Sequence, residues 1–168
     1  MKQKSHWKEL KKVKVLSFRF FLFFVFLPFS SISKEALVFS ETFSELLVKV
    51  AKTEKEKQRG LMFVDELLQT NGLLLLYKKP RVVNIWMHNT KIPLDIVFIN
   101  EQNKVVLVKK GKPLSKEIIS SVFPVIAVLE IPEGCAKTLD IKLGDKTSWR
   151  IIKAKVKNIR YYHCLDHH

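Results

Sequence analysis

The sequence contains little cysteine, no internal repeat and no low-complexity linker. Its two cysteines, Cys135 and Cys164, follow no spacing motif, which excludes a disulfide scaffold. The two thiols could still pair in an oxidising compartment. Once an N-terminal targeting segment is set aside, about 130 residues remain, enough for one domain that buries roughly two-thirds of its unfolded surface. The chain is therefore expected to fold around its own hydrophobic core.

Acidic residues are in short supply. The chain has 30 Lys and Arg against 16 Asp and Glu, a formal net charge of +14. Residues 37–168 alone keep 22 basic and 14 acidic side chains, a net charge of +8. A surface of this sign suits peripheral contact with anionic lipid or polymer. Lysine far outnumbers arginine and no aromatic-and-arginine pattern accompanies it, so we expect no nucleic-acid partner.

The N-terminus has the pattern of a targeting segment. Residues 1–19 are strongly basic, residues 20–29 are apolar, and Ser31 and Ser33 provide small residues before a cleavage point. This pattern predicts that residues 1–33 are a secretory signal peptide. The apolar run is shorter than the roughly 20 residues that a membrane-spanning helix needs, although an uncleaved anchor is the alternative. In either case we expect an exported chain, periplasmic or otherwise extracytoplasmic.

The rest of the chain is predicted to be one β-rich domain, residues 37–152, followed by a basic and aromatic tail, residues 153–168. Short apolar runs alternate with turn signals and lack crossover helices of adequate length between most of them. These features predict a mainly β (α+β) fold, an antiparallel β-sandwich or partly closed barrel with one or two short helices. The predicted strands cover residues 46–51, 73–77, 82–87, 94–99, 104–109, 125–131 and 147–152.

Two short helices are predicted. Thr53 and Glu56 form a capping box, in which each side chain accepts a hydrogen bond from the other's backbone N–H, so a helix should begin there and end near Met62. A second helix is expected over Cys135–Leu139. Residues 114–123 have mixed character and are expected to form a loop with at most one helical turn.

The densest polar chemistry lies in a bend between two apolar runs. We call the bend, residues 88–95, the elbow. Along the strand that precedes it, Ile85 and Met87 share the face expected to join the core, whereas Trp86 points to the opposite face. Trp86 can border a cleft there, or it can fill the end of the barrel. The candidate ligand-binding residues are Arg59, Met62, Trp86, His88, Asn89, Thr90 and Asp95.

Asp95 admits three interpretations. Its carboxylate can accept hydrogen bonds from turn N–H groups and make the elbow rigid. It can pair with the guanidinium of Arg59. It can also act with His88 as the acid–base pair of a hydrolase, since histidine titrates near neutral pH. No serine or cysteine sits in a recognisable nucleophile setting, which counts against the third interpretation.

Metal binding is a further alternative. Met62, Met87 and His88 combine thioether and imidazole groups, a set that suits copper. The tail adds Cys164 and three histidines, ligands that can capture zinc or copper. Met87 is expected in the core, however, and chain ends are usually mobile. The sequence therefore predicts no metal and no cofactor.

Several separated motifs resemble the domain of unknown function 192 family (uncharacterised protein family 0127), over about residues 46–150. The resemblance implies one compact, mainly β domain, often behind a signal peptide, and it implies no activity. His88 departs from the lysine usual in that family, and Cys135 departs from a small residue or threonine. The matching motifs are Arg59–Met62, Trp86–Thr90, Ile92–Asp95, Leu129–Glu130, Gly134 and Leu143–Asp145.

Together these features favour an exported, non-enzymatic module that binds a small ligand or an envelope component at the elbow. The alternatives are a hydrolase that uses His88 and Asp95, and a protein that handles copper or zinc.

Overall fold

The computed structural model describes residues 34–43, 45–67, 70–152 and Cys164. The predicted signal peptide lies outside the described residues, and so does the predicted tail apart from Cys164. Among the residues that are described, no helix is both long and apolar enough to cross a membrane.

A seven-stranded sheet, curled into a half-barrel, forms the body of the domain. Its strand order is β6-β5-β8-β3-β2-β1-β9, and β4 and β7 form a separate two-stranded sheet. This architecture confirms the predicted mainly β fold with two short helices. The elements are β1 (Glu35–Ser40), β2 (Leu46–Ala51), α1 (Glu54–Arg59), β3 (Leu73–Arg81), β4 (Asn84–Trp86), β5 (Leu94–Ile99), β6 (Val105–Gly111), β7 (Ile118–Ser120), β8 (Val125–Pro132), α2 (Cys135–Thr138) and β9 (Thr147–Ile152).

Several strands differ from the sequence-based expectations, and β3 runs on to Arg81, beyond the predicted end at residue 77. Strand β1, for which no strand was predicted, begins at Glu35 and pairs with β2 and β9. The segment expected as a loop contains β7, and the strand expected over residues 82–87 shrinks to β4. Strands β4 and β7 have three residues each, too few to display a periodic pattern. Their pairing arises from tertiary packing instead.

One strand pair is parallel. Strands β2 and β3 run in the same direction, and α1 lies in the connection between them. The other pairs among the described strands are antiparallel. The crossover therefore holds α1 beside the sheet, close to the N-terminal half of β3.

Helix α1 begins at the predicted capping box. Thr53 Oγ1 accepts from the Glu56 N–H at 3.2 Å, and Glu56 Oε2 accepts from the Thr53 N–H at 2.8 Å. The backbone N–H groups of Thr53 and Lys52, which both donate to Glu56 Oε2 at 2.8 Å, hold the pKa of Glu56 below its usual value. The helix ends earlier than predicted, at Arg59 rather than Met62, because Gly60 leaves the helical conformation with φ 48° and ψ −132°.

Two hydrophobic clusters occupy opposite faces of the main sheet. Along β5, Val97 and Ile99 join one cluster, whereas Ile96 and Phe98 join the other. This alternation follows from the two-residue repeat of a strand. The second cluster also receives Ile85 of the small sheet, so the small sheet packs over that face.

Cys135 and Cys164 form a disulfide, with their Cα atoms 5.4 Å apart. The bridge joins the tail to the start of α2, and both cysteines are buried. The pairing that the sequence left open is therefore present.

Candidate functional site

A cavity of about 300 Å³ lies between α1, the small sheet and the floor of the main sheet. Its walls come from the end of α1 and the turn after it, from β4 and the start of the elbow, and from single residues of β5 and β8. The lining residues that carry polar or aromatic groups are Lys57, Gln58, Arg59, Asn84, Trp86, Thr90 and Glu130.

Trp86 borders this cavity with 44% of its surface exposed. Its indole stacks on the imidazole of His88, with the ring centroids 4.5 Å apart and the ring planes 15° apart. Stacking between the two rings restricts the indole at the cavity edge. The neighbours Ile85 and Met87 are buried, as the strand pattern predicted.

Glu130 forms part of the cavity floor. It lies on β8, an interior strand of the main sheet, where it is paired with Leu73 on one side and Ile96 on the other, and only 4% of it is exposed. Among the described residues, no ion pair or side-chain hydrogen bond reaches its carboxyl group. Burial raises the pKa of Glu130 to about 7. Its carboxyl group therefore changes protonation near neutral pH, inside an accessible cavity.

The end of α1 closes over this carboxyl group. A Cβ atom placed on Gly60 would lie 3.7 Å from Glu130 Oε2. Gly60 also adopts a positive φ, which glycine tolerates and larger residues disfavour. The turn after α1 can therefore approach the floor closely, and Arg59 is exposed directly beside it.

Lys57 brings a buried cation to the same cavity. Its side chain is 6% exposed, and its Nζ lies 2.7 Å from Glu54 Oε1. The ammonium also donates to the Leu76 carbonyl at 3.3 Å and lies 4.5 Å from the centroid of the Tyr77 ring. These contacts fix the ammonium group of Lys57 at the cavity wall.

A second hollow of about 270 Å³ lies beside the first, and the two share Lys57, Gln58, Asn84 and Ile85. Tyr77 lies in this second hollow. Burial, assisted by the nearby carboxyl group of Glu130, raises the pKa of Tyr77 to about 12. Its hydroxyl therefore remains protonated at neutral pH and can donate a hydrogen bond.

The elbow is held by backbone hydrogen bonds. The Thr90 N–H donates to the Met87 carbonyl at 3.0 Å, and Asn89 adopts a left-handed conformation with φ 59°. The Asn89 carbonyl accepts from the Phe63 N–H at 2.9 Å. Asn89 thus shapes the elbow and ties it to the turn after α1, without lining the cavity.

Asp95 serves α2 rather than the cavity. Its Oδ2 accepts from the backbone N–H groups of Gly134 and Ala136, both at 2.9 Å, and Asp95 is buried. Turn N–H groups were one of the three predicted partners. Within the described residues, no ion pair joins Asp95 to Arg59 and no hydrogen bond joins it to His88. The proposed Arg59–Asp95 pair is therefore not formed.

The predicted candidates divide into two groups. Arg59, Met62, Trp86 and Thr90 line the cavity, and His88 adjoins it through its stacked ring. Asn89 and Asp95 do not line it. Met87 also reaches the cavity wall but is buried in the core cluster. In the described part of the chain, no group of three His, Cys, Asp or Glu side chains could hold a metal ion.

Glu130 and Lys57 were not among the predicted site residues. Glu130 had a signal in the sequence: it is the one charged residue in the apolar run Val125–Ile131. A carboxyl group on a strand buried on both faces should be treated as a candidate functional group. Lys57 had no such signal in the sequence, because it stands among the charged residues of a helix that is expected to be exposed.

The fold and the site define a compact half-barrel domain with a small, amphipathic cavity. A family model, DUF192, described as an uncharacterized ACR, matches residues 37–149. The chain therefore belongs to the DUF192 family, as the resemblance of its motifs indicated. No curated protein matches the chain.

Two solved structures are similar to this chain. A protein of unknown function from Novosphingobium aromaticivorans DSM 12444 is 33% identical, with a TM-score of 0.64 over 73% of this chain and 89% of that one. A protein proposed to be a transcription regulator, from Sinorhizobium meliloti 1021, is 28% identical, with a TM-score of 0.63 over 70% and 93%.

Proposed function

We propose that this chain is a non-enzymatic, exported module that binds a small molecule in the cavity between α1, β4 and β8. One observation carries the proposal: a buried carboxyl group, Glu130, lines an accessible cavity edged by the half-exposed indole of Trp86. A buried polar group without a partner is costly unless a ligand can satisfy it. A mostly apolar pocket with a few convergent polar groups is the usual form of a small-ligand site.

The lining favours a small anion with an apolar or aromatic body. The volume of about 300 Å³ is at the lower end of ligand pockets. Trp86 and the aliphatic wall suit a flat apolar body, and the exposed Arg59 suits a carboxylate or phosphate group. Glu130 in its neutral form is a donor for an oxygen acceptor. We therefore expect binding of aromatic carboxylates in preference to amines of the same size.

A hydrolase that uses His88 and Asp95 is not supported. The carboxylate of Asp95 already accepts two backbone N–H groups at the start of α2. The imidazole of His88 stacks on Trp86 instead. An acid–base pair requires hydrogen-bond reach between its members or through one water.

Trp86 fluorescence provides the test. The full chain carrying Trp7→Phe and Trp149→Phe retains Trp86 as its reporter, and phenylacetate and phenylethylamine serve as matched probes. We expect phenylacetate to change Trp86 emission and to raise the melting temperature, and phenylethylamine to do neither. Arg59→Gln should weaken phenylacetate binding at least fivefold, whereas Arg150→Gln, on β9, should not. No response to either probe at millimolar concentration would contradict the proposal.

Export is a separate part of the proposal and has its own test. The basic, apolar and small-residue pattern of residues 1–33 supports a cleaved signal. We expect the intact mass of the protein from its native envelope to correspond to a chain that begins at Lys34. A mass that includes residues 1–33 would indicate an anchor, and recovery of the protein only from cytoplasm would contradict export.

A further inference from the structure

The described residues include eight large hydrophobic side chains that are exposed, and seven of them lie around the small sheet. We call these seven the apolar rim. The eighth, Leu143, lies in the turn before β9. Apolar residues scattered singly over a surface need no explanation, but a cluster of this kind usually marks an interaction site. The rim consists of Phe63, Val82, Trp86, Leu114, Ile118, Val122 and Phe123.

Four residues of the rim lie near the elbow. Trp86 and Ile118 are direct cross-strand partners, so their side chains share the outer face of the small sheet. The Phe63 N–H bonds the Asn89 carbonyl and the Leu114 N–H bonds the Thr90 carbonyl, both at 2.9 Å. Phe63 and Leu114 therefore flank the elbow, next to Trp86.

The other part of the rim lies at the far end of the small sheet. Ser121 is buried there, and its hydroxyl accepts from the Val83 N–H at 2.9 Å and donates to the Phe123 carbonyl at 2.7 Å. These bonds hold Val82 and Phe123 on either side of Ser121. Because each strand of the small sheet has three residues, the two parts of the rim are only about 10 Å apart.

The rim is held in unfavourable backbone conformations. Six non-glycine residues of the described chain have a positive φ, and three of them are asparagine or aspartate, which tolerate it. The other three are Phe63, Leu114 and Val122, with φ of 63°, 58° and 62°, and all three belong to the rim. Bulky or β-branched residues rarely adopt this conformation, and such strain persists where function requires it.

Two local turns show how the strain is built in. Lys112 O accepts from the Ser115 N–H at 3.2 Å, which places Leu114 in the third position of a turn that favours glycine there. The Ser121 carbonyl accepts from the Phe123 N–H, so Val122 is the central residue of a three-residue turn with positive φ, a rare and strained form. Glycine would fit both positions without strain, yet both carry exposed apolar side chains.

Basic residues border the rim. Lys78, Lys79 and Arg81 are exposed immediately before Val82, and Lys112 and Lys116 are exposed on either side of Leu114. Acidic side chains are fewer here: Asp65 pairs with Lys91 at 2.6 Å and Glu54 pairs with Lys57 at 2.7 Å. Glu66, three residues after Phe63, and Glu117, next to Lys116, are exposed. Apolar turn tips surrounded by lysines match a bilayer surface, in which anionic headgroups lie above hydrocarbon.

We propose that the apolar rim docks the domain on an anionic lipid bilayer. Phe63, Leu114, Val122 and Phe123 enter the headgroup boundary, and the bordering lysines contact the lipid phosphates. The charge complementarity favours lipid over a second copy of this chain, because two copies would bring the same positive border together. Docking does not depend on a ligand in the cavity, although it places Trp86 and the cavity edge at the lipid surface.

The test compares two similarly exposed positions in the full chain, Ile118 at 60% and Leu143 at 66%. An environment-sensitive fluorophore is attached through Ile118→Cys or Leu143→Cys, and each protein is mixed with vesicles of phosphatidylcholine alone or with an equal part of phosphatidylglycerol. We expect a blue shift at position 118 with phosphatidylglycerol, weaker in high salt, and none at position 143. Equal shifts at both positions, or none, would overturn the proposal.

Other occupants give different results. If the fluorophore at position 118 emitted at a shorter wavelength than the one at position 143 before any vesicles were added, the proposal would be overturned. If this difference grew with protein concentration, it would assign the rim to a second copy. If it did not, it would assign the rim to another segment of the same chain.

Glycine variants separate docking from folding. Leu114→Gly and Val122→Gly remove rim side chains and relieve positive-φ strain, so we expect no loss of melting temperature. Each should lower the docking equilibrium constant about tenfold, because each removes a large apolar contact with lipid. Leu143→Gly is the matched control and should leave docking unchanged. Glycine variants that dock as strongly as the parent would contradict the proposal.

Discussion

Glu130 lies in the second half of β8, between Leu73 and Ile96 on the neighbouring strands. Burial disfavours the charged form of the carboxyl group and raises its pKa to about 7, above the ordinary value of 4.5. The unfolded chain ionises Glu130 at the ordinary value, so between the two values folding requires uptake of a proton. Stability from this residue is therefore greatest below pH 4.5 and falls as the pH rises to about 7.

We expect Glu130→Gln to remove this pH dependence. The variant should match the parent near pH 4.5 and exceed its free energy of unfolding above pH 7, by at most about 3 kcal/mol. Denaturant unfolding at a series of pH values measures the difference. Glu133→Gln, at an exposed position next to α2, is the control. A difference that is the same at pH 4.5 and pH 8 would contradict the assigned ionisation.

At this scale the sequence predicted four of the thirteen residues that line the cavity. Trp86, Thr90, Arg59 and Met62 were identified because they stand in motifs with concentrated polar or aromatic chemistry. Glu130 was missed as a site residue, since its importance depends on neighbours that come from distant strands. Which residues face a cavity is a property of the assembled sheet and is not visible in local spacing.

Among the elements, those specified by local interactions were predicted best. The capping box fixes the start of α1, and its atoms lie within four residues of each other. Strands β4 and β7 depend on each other and on the underlying core, so their boundaries could not be read from local pattern. The role of Asp95 was predicted in part. The sequence predicted that its carboxylate accepts hydrogen bonds from turn N–H groups, but it did not predict that these groups lie at the start of α2.

Asp95→Asn should destabilise the fold by about 1–3 kcal/mol, because a buried carboxylate that accepts two backbone N–H groups is replaced by a weaker acceptor. Chemical denaturation measures the loss. Asp65→Asn, which breaks an exposed ion pair with Lys91, should cost at most about 1 kcal/mol. Equal effects in the two variants would show that the contacts of Asp95 with α2 are not structural.

Thr53→Ala should lower the free energy of unfolding by about 1 kcal/mol, since it removes the acceptor for the Glu56 N–H at the start of α1. The control is Thr138→Ala, at an exposed position where the hydroxyl donates only a long hydrogen bond of 3.3 Å to Gly134 O. Guanidinium titration compares the two variants. A larger loss in the control would contradict the capping assignment.

For the whole molecule, the half-barrel was predictable because strand periods and missing crossover helices restrict the architecture to few choices. The disulfide between α2 and the tail could not be predicted, because two cysteines without a spacing motif do not show whether they pair. The disulfide spans 29 positions and ties Cys164 to the core. It restricts the unfolded chain as well as the folded one.

Reduction of the disulfide should lower the free energy of unfolding by about 3–4 kcal/mol, the loop-closure contribution of a loop of this length. Urea unfolding with and without dithiothreitol measures the change. A chain carrying Cys135→Ala and Cys164→Ala should not respond to dithiothreitol. If the parent chain were equally insensitive, the bridge would not contribute to stability.

The central claim is that the Glu130 carboxyl group faces a cavity that accepts a small anion. Carbon-13 NMR of the glutamate carboxyl groups, with Glu130→Gln to assign the signal, follows this group directly. We expect a titration midpoint near pH 7 that moves upward with phenylacetate, because a bound anion and its hydrogen bond both favour the neutral acid. A midpoint near the ordinary value of 4.5, or one that phenylacetate leaves unchanged, would contradict the account.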